Sequence, residues 1–550
     1  EHNGILFPPD FETKKIKIKI KGESVDLDIK QEEMIYQWAK KKDTPYAQDK
    51  VFQKNFLGDF AKTFGKKYKK LELDDVDFKN AFNLVDKEKD AKELLTKEQK
   101  KALALKRKEL REEMKEKFGK GKMDDKEVEI ANYMAEPPGI FIGRGEHPLR
   151  GKWKPKVTSK DVTLNLGKEA KVPVGNWGKI VHDQESMWMA SWTDFLTQKR
   201  KYVWLADTAG IKQDRDKAKY DKAKMLAKEI ETIKNKIVKD MQSKDPKVRR
   251  ISTVCWLIYR TAMRVGDEKD PDEADTVGAT TLRKEHVTLT SDAIKFDFLG
   301  KDSVRWQETV PAVGNDKQFH ENLKELTAKI KATDEIFGNL TSRDVNEYYK
   351  TVVKGLTAKV FRTFSASTVV SKYLNENGDV KKGSQMEKLY HAKLANLEAA
   401  IMCNHKRTIP KTFEQSLQKK RDTLKTAEKA TPWKKNEEVL KKAESTKTKT
   451  DAQEKKRKER ITKIKGMIKK SKAKQKERVE KLRLQLDLTE KTRDYNLGTS
   501  LRNYIDPRIF KSWTDEVTAD WEKLYTAALQ KKFLWVKSEN ESWQNVSKHY

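Results

Sequence analysis

Apolar side chains recur with two periods along this chain, and the switches between them mark its organisation. Ile16, Ile18 and Ile20 alternate with lysines, Lys21-Gly22-Glu23-Ser24 follows, and Val25, Leu27 and Ile29 alternate again. Period two on both sides of a glycine-containing turn predicts a β-hairpin. Residues 31–122 read as helical and heavily charged until Glu136-Pro137-Pro138-Gly139 breaks the run. From 139 to 206, strand-like pieces alternate with turn residues and with Trp153, Trp177, Trp188, Trp192 and Trp204, the pattern of a compact β-containing unit. A polar helix is predicted over 216–241. Asp245-Pro246 then supplies an N-cap and a proline at the first helical position. Val248, Ile251, Cys255, Ile258 and Ala262 follow at helical spacing as one buried face, with Arg264 at the helix end. Ile294, Phe296 and Phe298 alternate as a strand that turns over 299–302 into Val304-Arg305-Trp306, which puts Lys301 at a hairpin tip. Residues 317–409 return to helical periodicity and contain Arg362 and His405.

The stretch from 410 to 490 is different. Across 411–490, 27 lysines and arginines stand against 13 acids, a net of +14, and Gly466 and Pro432 are its only glycine and proline. Phe413, Leu417 and Leu424 begin one apolar stripe. Ile461, Ile464 and Ile468, then Val479, Leu482 and Leu486, form two more at i, i+3, i+7, and the polar segment 444–451 separates the arms. Two antiparallel helices, a coiled-coil hairpin projecting from the body, are the expectation. A solvated helical spacer without further function is the plain alternative. Residues 491–550 follow as a small C-terminal domain.

Length and charge narrow the partner. A chain of 550 residues has room for roughly two to four domains. Lysine and arginine total 119 against 86 acids, leaving +33 and pointing to a polyanion, with nucleic acid first. Solubility alone is the bland reading of such an excess; an anionic membrane surface is weaker, because no amphipathic anchor or lipidation motif is visible. Cys255 and Cys403 are the only cysteines, which gives no disulfide framework and no metal cluster and fits a reducing compartment. Apolar runs fall far short of a membrane span, and no signal peptide opens the sequence. The first residue is Glu1 rather than methionine, so a fragment of a longer chain is expected, in which an N-terminal targeting tail would not be seen.

Five short contexts carry the chemistry: Thr261-Ala262-Met263-Arg264-Val265-Gly266, Phe298-Leu299-Gly300-Lys301-Asp302-Ser303, Leu356-Thr357-Ala358-Lys359-Val360-Phe361-Arg362-Thr363, Met402-Cys403-Asn404-His405-Lys406-Arg407 and Leu497-Gly498-Thr499-Ser500-Leu501-Arg502-Asn503-Tyr504-Ile505-Asp506-Pro507-Arg508. Taken singly, each arginine, lysine or histidine reads as an ordinary surface or core residue, and nothing in the pattern alone chooses Tyr504 among fifteen tyrosines. Together, in this order, they closely resemble the active site of eukaryotic type IB DNA topoisomerases. Glu136-Pro137-Pro138-Gly139-Ile140-Phe141-Ile142-Gly143-Arg144-Gly145 is similar to that family's core motif, and the segments Ala274-Asp275-Thr276-Val277-Gly278 and Pro410-Lys411-Thr412-Phe413 match it as well.

The resemblance implies an α+β multidomain, predominantly helical protein. Its expected form is a two-lobed DNA clamp with a tyrosine-recombinase-like catalytic domain and an antiparallel coiled-coil linker. The divisions expected are 1–206 (N-terminal core clamp), 207–409 (catalytic core), 410–490 (linker) and 491–550 (C-terminal domain). It further implies Tyr504 as nucleophile, Arg264, Arg362 and His405 as transition-state donors, and Lys301 as general acid. Arg144, Asp302, Lys359 and Asn503 are the expected DNA contacts. No metal and no cofactor are expected. The other implied features are duplex DNA as partner, a monomer, a nuclear location and a camptothecin-type interfacial inhibitor. Chemically the set is coherent: a phenol with reference pKa about 10 needs nearby cations to attack as phenolate, guanidinium forks suit the charged oxygens of a phosphoryl transition state, and a departing alkoxide needs a proton.

The sequence departs from the family pattern in four places. Ile142 stands at the first arginine of Arg-Gly-Arg-Gly, and Leu501-Arg502 at Lys-Leu before Asn-Tyr; Asp267 stands at an asparagine, and Phe364-Ser365 at Tyr-Asn. These changes leave two alternatives to the enzyme: a clamp of the same fold with impaired chemistry, and a tyrosine recombinase. The long basic hairpin ahead of the tyrosine and the large N-terminal region favour the topoisomerase. An RNA-binding or cytoskeletal coiled-coil protein would account only for the linker and the charge.

Overall fold

The computed structural model describes residues 1–143, 145–266 and 277–550, and of Asp302 the backbone alone. Among the described residues helices predominate and four sheets accompany them, an α+β chain. Contacts divide it into two compact units. The first holds Glu1–Asp216 together with Leu299–Arg305, and the second holds the other described residues from Lys217 to Tyr550.

In the first unit the predicted hairpin is present as β1 (Ile18–Ile20) and β2 (Glu23–Val25), with Ile18 opposite Val25. Lys21 and Gly22 both have positive φ, the backbone that a two-residue hairpin turn requires. A third strand, β3 (Val76–Asp77), pairs with the free edge of β1. The isoleucines of β1 bury against α1 (Ile29–Ala39), capped by the reciprocal Asp28–Gln31 box, and against α2 (Lys50–Lys62) and α3 (Lys79–Glu93). Trp38 stacks on Phe56 at 4.6 Å in that core. The next helix, α4 (Lys97–Phe118), buries none of its residues.

Helical sequence was expected to continue to residue 122, but the chain turns into strands at Gly119. Here β4 (Lys120–Met123) and β5 (Lys126–Ala131) form a hairpin in which Asp124 and Asp125 both take left-handed backbone angles. A short pair, β6 (Gly139–Ile140) with β7 (Trp153–Lys154), precedes the rest of the sheet. Strands β8 (Val162–Asn165), β9 (Lys179–Val181), β10 (Trp188–Thr193) and β11 (Arg200–Leu205) complete the order β4-β5-β11-β10-β8-β9, in which only β8–β9 is parallel. Lys154 bridges Glu136 and, at 2.6 Å, the buried Asp194, tying the proline-glycine break to the sheet.

The long polar helix α5 (Gly210–Asp240) begins six residues before its predicted start. In the second unit α6 (Pro246–Thr261) starts as predicted, with the Asp245 carboxylate accepting from Lys247 N at 2.8 Å. It ends at Ala262 in the left-handed region, so Arg264 lies just beyond the helix. Strands β12 (Val287–Leu289), β13 (Ala293–Gly300) and β14 (Val304–Pro311) make a small sheet, and Lys301 occupies the turn between β13 and β14. Four helices follow: α7 (Asp316–Thr327), α8 (Ser342–Lys350), α9 (Ala358–Asn377) and α10 (Gln385–Met402). Leu257, Ile294, Phe296, Phe319, Tyr349 and Phe361 lie at the centre of one core.

The first arm of the basic hairpin is not one helix. It is broken into α11 (Phe413–Lys429) and α12 (Lys434–Ser445), because Pro432 lacks the N–H a helix needs and disfavours helical backbone in the residue before it. Both pack on the 41-residue α13 (Asp451–Lys491). The ion pairs Arg421–Glu490, Arg483–Glu428, Lys472–Glu437 and Lys465–Glu444 run in opposite chain directions along it. Ile464 and Ile468 bury against Ala443, whereas the predicted Val479, Leu482 and Leu486 stripe is only half-buried. Four short helices close the chain: α14 (Leu497–Asn503), α15 (Pro507–Glu516), α16 (Ala527–Lys532) and α17 (Trp543–Ser547). Ile509, Phe510, Trp513 and Phe533 pack there on Val370 and Leu374 of α9.

Candidate active site around Tyr504

Local chain geometry delivers four of the five predicted side chains to one place in the second unit. Arg362 projects from the buried face of α9. Cys403 ends α10, Asn404 takes a left-handed backbone, and His405 turns back so that its N–H donates to Ala400 O at 2.8 Å. The chain around His405 then pairs with the lead-in to the tyrosine: Asn496 N donates to His405 O at 2.7 Å and Arg407 N to Asp494 O at 2.9 Å. The Asn496 side chain caps α14, and Tyr504 is the residue that ends it. Arg264 is held by Ala279 N donating to its carbonyl at 2.8 Å. Nearby, a Cβ on Gly278 would meet Gly266 Cα at 2.4 Å, a backbone approach that only glycine allows.

The Tyr504 ring stacks on His405 with centroids 5.4 Å apart and planes inclined by 28°. The guanidinium carbon of Arg362 lies 5.1 Å from the same ring centroid, and Arg264 hydrogen-bonds the Tyr504 side chain. Arg362 donates from Nη1 to Ala262 O at 2.6 Å and from Nη2 to Cys403 O. Its Nε is buried without a hydrogen-bond partner among the described residues, and so are both ring nitrogens of His405. Arg362 and His405 are each only 6% exposed. Burial, reinforced by the charge of Arg362, lowers Arg264 from its ordinary value. Burial, then the charges of Arg362 and Arg264, pushes His405 down to about 3, which makes it a neutral imidazole. No carboxylate pairs with Arg264 or Arg362 among the described residues. Two enclosed cations, spare N–H groups and a phenol therefore face one another without an anion, an arrangement suited to an oxyanion that arrives with a substrate.

Support for this cluster comes from residues that the motifs did not single out. Directly after Tyr504, the fully buried Asp506 caps α15 and is gripped by Arg508 through Nε and Nη2, at 3.1 and 2.8 Å. Arg508 also reaches Asp221 on α5 at 2.6 Å. Ser367, five residues beyond Arg362 on α9, accepts from Asp506 N at 3.0 Å and donates to Tyr504 O at 3.4 Å. A buried acid next to a buried arginine in Asp506-Pro507-Arg508 is a signal that sequence reading could have used.

The other predicted residues lie on separate elements. Lys301 is exposed on its turn, within the segment Leu299–Arg305 of the first unit. Lys359 is exposed on α9, and Asn503 is exposed with its amide donating to Thr499 O at 3.1 Å. Arg144, Asp267 and the side chain of Asp302 lie outside the described residues. Among the described residues no group of three or more His, Cys, Asp or Glu could hold a metal, and no helix is long and apolar enough to cross a membrane.

Comparison with known proteins gives matches to three family profiles along the chain. Residues 1–205 match the DNA-binding fragment of eukaryotic DNA topoisomerase I, 208–439 its catalytic core, and 476–545 a C-terminal topoisomerase domain. DNA topoisomerase 1 alpha of Arabidopsis thaliana is 36% identical over 549 residues, covering 97% of this chain and 58% of that protein. DNA topoisomerase 1 of Homo sapiens is 33% identical over 550 residues, 97% of this chain and 70% of the relative. That of Candidozyma auris is 33% identical over 626 residues, 99% and 82%. The chain thus spans little more than half the length of its Arabidopsis relative.

Proposed function

This chain belongs to the eukaryotic DNA topoisomerase I family, and from that premise we propose that it relaxes supercoiled duplex DNA by cutting one strand, letting the duplex rotate and resealing it. The observation that carries the reading is Tyr504 enclosed by Arg264, Arg362 and neutral His405, with hydrogen-bond donors left over.

The Tyr504 oxygen attacks the scissile phosphorus as phenolate, a form that the two adjacent guanidinium charges favour. As the new O–P bond forms, negative charge grows on the non-bridging oxygens. The free N–H groups of Arg362 and Arg264 take it up, and a neutral His405 contributes one N–H. The bond to the 5′ oxygen breaks, and Lys301 gives that oxygen its proton. The product is a 3′-phosphotyrosyl link that conserves the ester, so the 5′ hydroxyl can attack it, return its proton to Lys301 and expel the phenolate. Neither ATP nor a metal enters this sequence of steps.

Lys359, Asn503, Arg144 and Asp302 contact the DNA around the cut. The basic helices α11, α12 and α13 act as a coiled-coil linker that brakes rotation by touching downstream phosphates. A two-lobed clamp, a recombinase-like catalytic domain, a monomeric state, a nuclear location and an interfacial camptothecin-type ligand belong to the same reading and rest on the family relation.

Incubation with supercoiled plasmid in EDTA, beside a Tyr504→Phe variant, tests it. Relaxation by the parent alone, with protein joined to DNA after denaturation, is the expected result. Binding without relaxation by either protein would instead support a clamp without chemistry.

A further inference from the structure

Tyr550 lies beyond α17, 46 residues after the proposed nucleophile, and no sequence motif points to it. The residue is half-buried, and burial, then the Asp506 charge, raises its phenol well above its ordinary value. That hydroxyl donates to Asp506 Oδ2 at 2.7 Å and also meets the Ser367 hydroxyl. Asp506 and Ser367 help fix the backbone on either side of Ile505, beside Ser500 O, which accepts from Tyr504 N and Ile505 N at 3.0 and 3.1 Å. Ser367 reaches Tyr504 O at 3.4 Å, and Asp506 N donates to Ser367 Oγ at 3.0 Å. Asp506 Oδ2 also accepts from Arg508 Nε and Nη2, at 3.1 and 2.8 Å. The Tyr550 hydroxyl is therefore not needed to neutralise the acid. What it adds is orientation: with it in place, the Ser367 hydroxyl is enclosed by Asp506 N, Tyr504 O and the Tyr550 oxygen.

We propose that Tyr550 is a positioning residue for Tyr504, setting the attacking phenol through Ser367 and Asp506. The proposal rests on the reading of Tyr504 as nucleophile. It follows from geometry: Ser500 O holds Tyr504 N at 3.0 Å, the Ser367–Asp506 pair holds the main chain that leaves Tyr504, and small misplacements of reacting groups cost much in rate. The same phenolate attacks in cleavage and departs in resealing. An error in its placement therefore slows both directions by one factor and leaves the proportion of covalent complex unchanged.

The experiment measures single-turnover cleavage of a nicked oligonucleotide duplex that releases the short downstream fragment bearing the new 5′ hydroxyl, and resealing after addition of a complementary 5′-hydroxyl strand. Parent, Tyr504→Phe, Tyr550→Phe, Ser367→Ala and the Tyr550→Phe/Ser367→Ala double variant are compared. Tyr550→Phe is expected to lower both rate constants together, by about 3- to 10-fold, with the cleavage amplitude intact. Loss of folded protein would instead lower the amplitude and leave the rate constants alone. The double variant is expected to be no slower than the worse single variant, because both act through one hydroxyl junction. Unchanged rate constants in Tyr550→Phe, or fully multiplicative effects in the double variant, would overturn the role of Tyr550 while Tyr504 keeps its own. Adduct formation by Tyr504→Phe, or none by the parent, would overturn the nucleophile and this inference together.

Discussion

Arg362 holds its guanidinium carbon 5.1 Å from the ring centroid of Tyr504 while two of its nitrogens bond carbonyls from opposite sides, Ala262 O and Cys403 O. Those carbonyls belong to the left-handed cap of α6 and to the end of α10, so one side chain pins together the chain ends that carry Arg264 and His405. An arginine has five N–H donors, and two are used here. Its Nε has no hydrogen-bond partner among the described residues and is left for an incoming oxyanion.

Lysine cannot replace it. Arg362→Lys keeps the charge but lacks the planar fork needed to span two carbonyls and still face a phosphate. Single-turnover cleavage is expected to fall about 10²- to 10³-fold, the usual cost of an oxyanion donor, with DNA affinity nearly unchanged. A gel-based cleavage time course with a parallel binding titration measures both.

His405 should leave a signature in stability against pH. Its folded value is about 3, set by burial and the Arg362 and Arg264 charges, whereas an unfolded imidazole titrates near 6.5. Between those values the unfolded chain takes up a proton that the folded chain refuses. The stabilising contribution is therefore complete above pH 6.5 and is lost as pH falls toward 3. In urea unfolding, the parent's free-energy advantage over His405→Gln is expected to shrink between about pH 7 and about pH 5. A constant advantage would show that His405 titrates normally in the folded protein.

Removal of Arg508 is expected to be far more damaging than its distance from the reaction suggests. The side chain is 4% exposed and is the cation that compensates Asp506, itself 0% exposed. Arg508→Met leaves a buried carboxylate without its compensating cation, at a cost of about 3–5 kcal/mol. Adding Asp506→Asn should restore part of that loss, because the uncompensated charge is then gone. Urea midpoints of the single and double variants test the pair.

The basic hairpin should affect rotation and not chemistry. Lys463, Lys470 and Lys474 are exposed on α13, far in sequence from Tyr504. Changing all three to Gln is expected to leave single-turnover cleavage unchanged and to speed relaxation per cleavage event. The log–log salt slope of binding should fall by about 0.9 for each phosphate that is no longer neutralised. An unchanged slope would mean that these lysines do not touch DNA.

Local order was legible in the sequence wherever a short-range rule applied. Asp245-Pro246 announced the start of α6, Lys21-Gly22 the first hairpin, and the alternation to Phe298 the strand that presents Lys301 on a turn. It was misread where a few residues outweighed the wider pattern. Asp124 and Asp125 accept left-handed angles and turn a charged, helix-like run into the β4–β5 hairpin. Pro432 cuts one expected linker helix into α11 and α12.

Capped helix starts, alternating strands, the charge and the family-like order of Arg264, Lys301, Arg362, His405 and Tyr504 could be read along the chain, because spacing, capping and side-chain type act over a few residues. Which polar groups are left unpaired is settled by contacts between distant segments. Arg362 meets Ala262 across 100 residues, Asn496 meets His405 across a whole helical hairpin, and Arg508 meets Asp221 across 287 residues. Burial and charge depend on those long-range partners, and no periodicity in the chain encodes them. The neutral His405, the spare Arg362 nitrogen and the Tyr550 junction are therefore properties of the folded molecule.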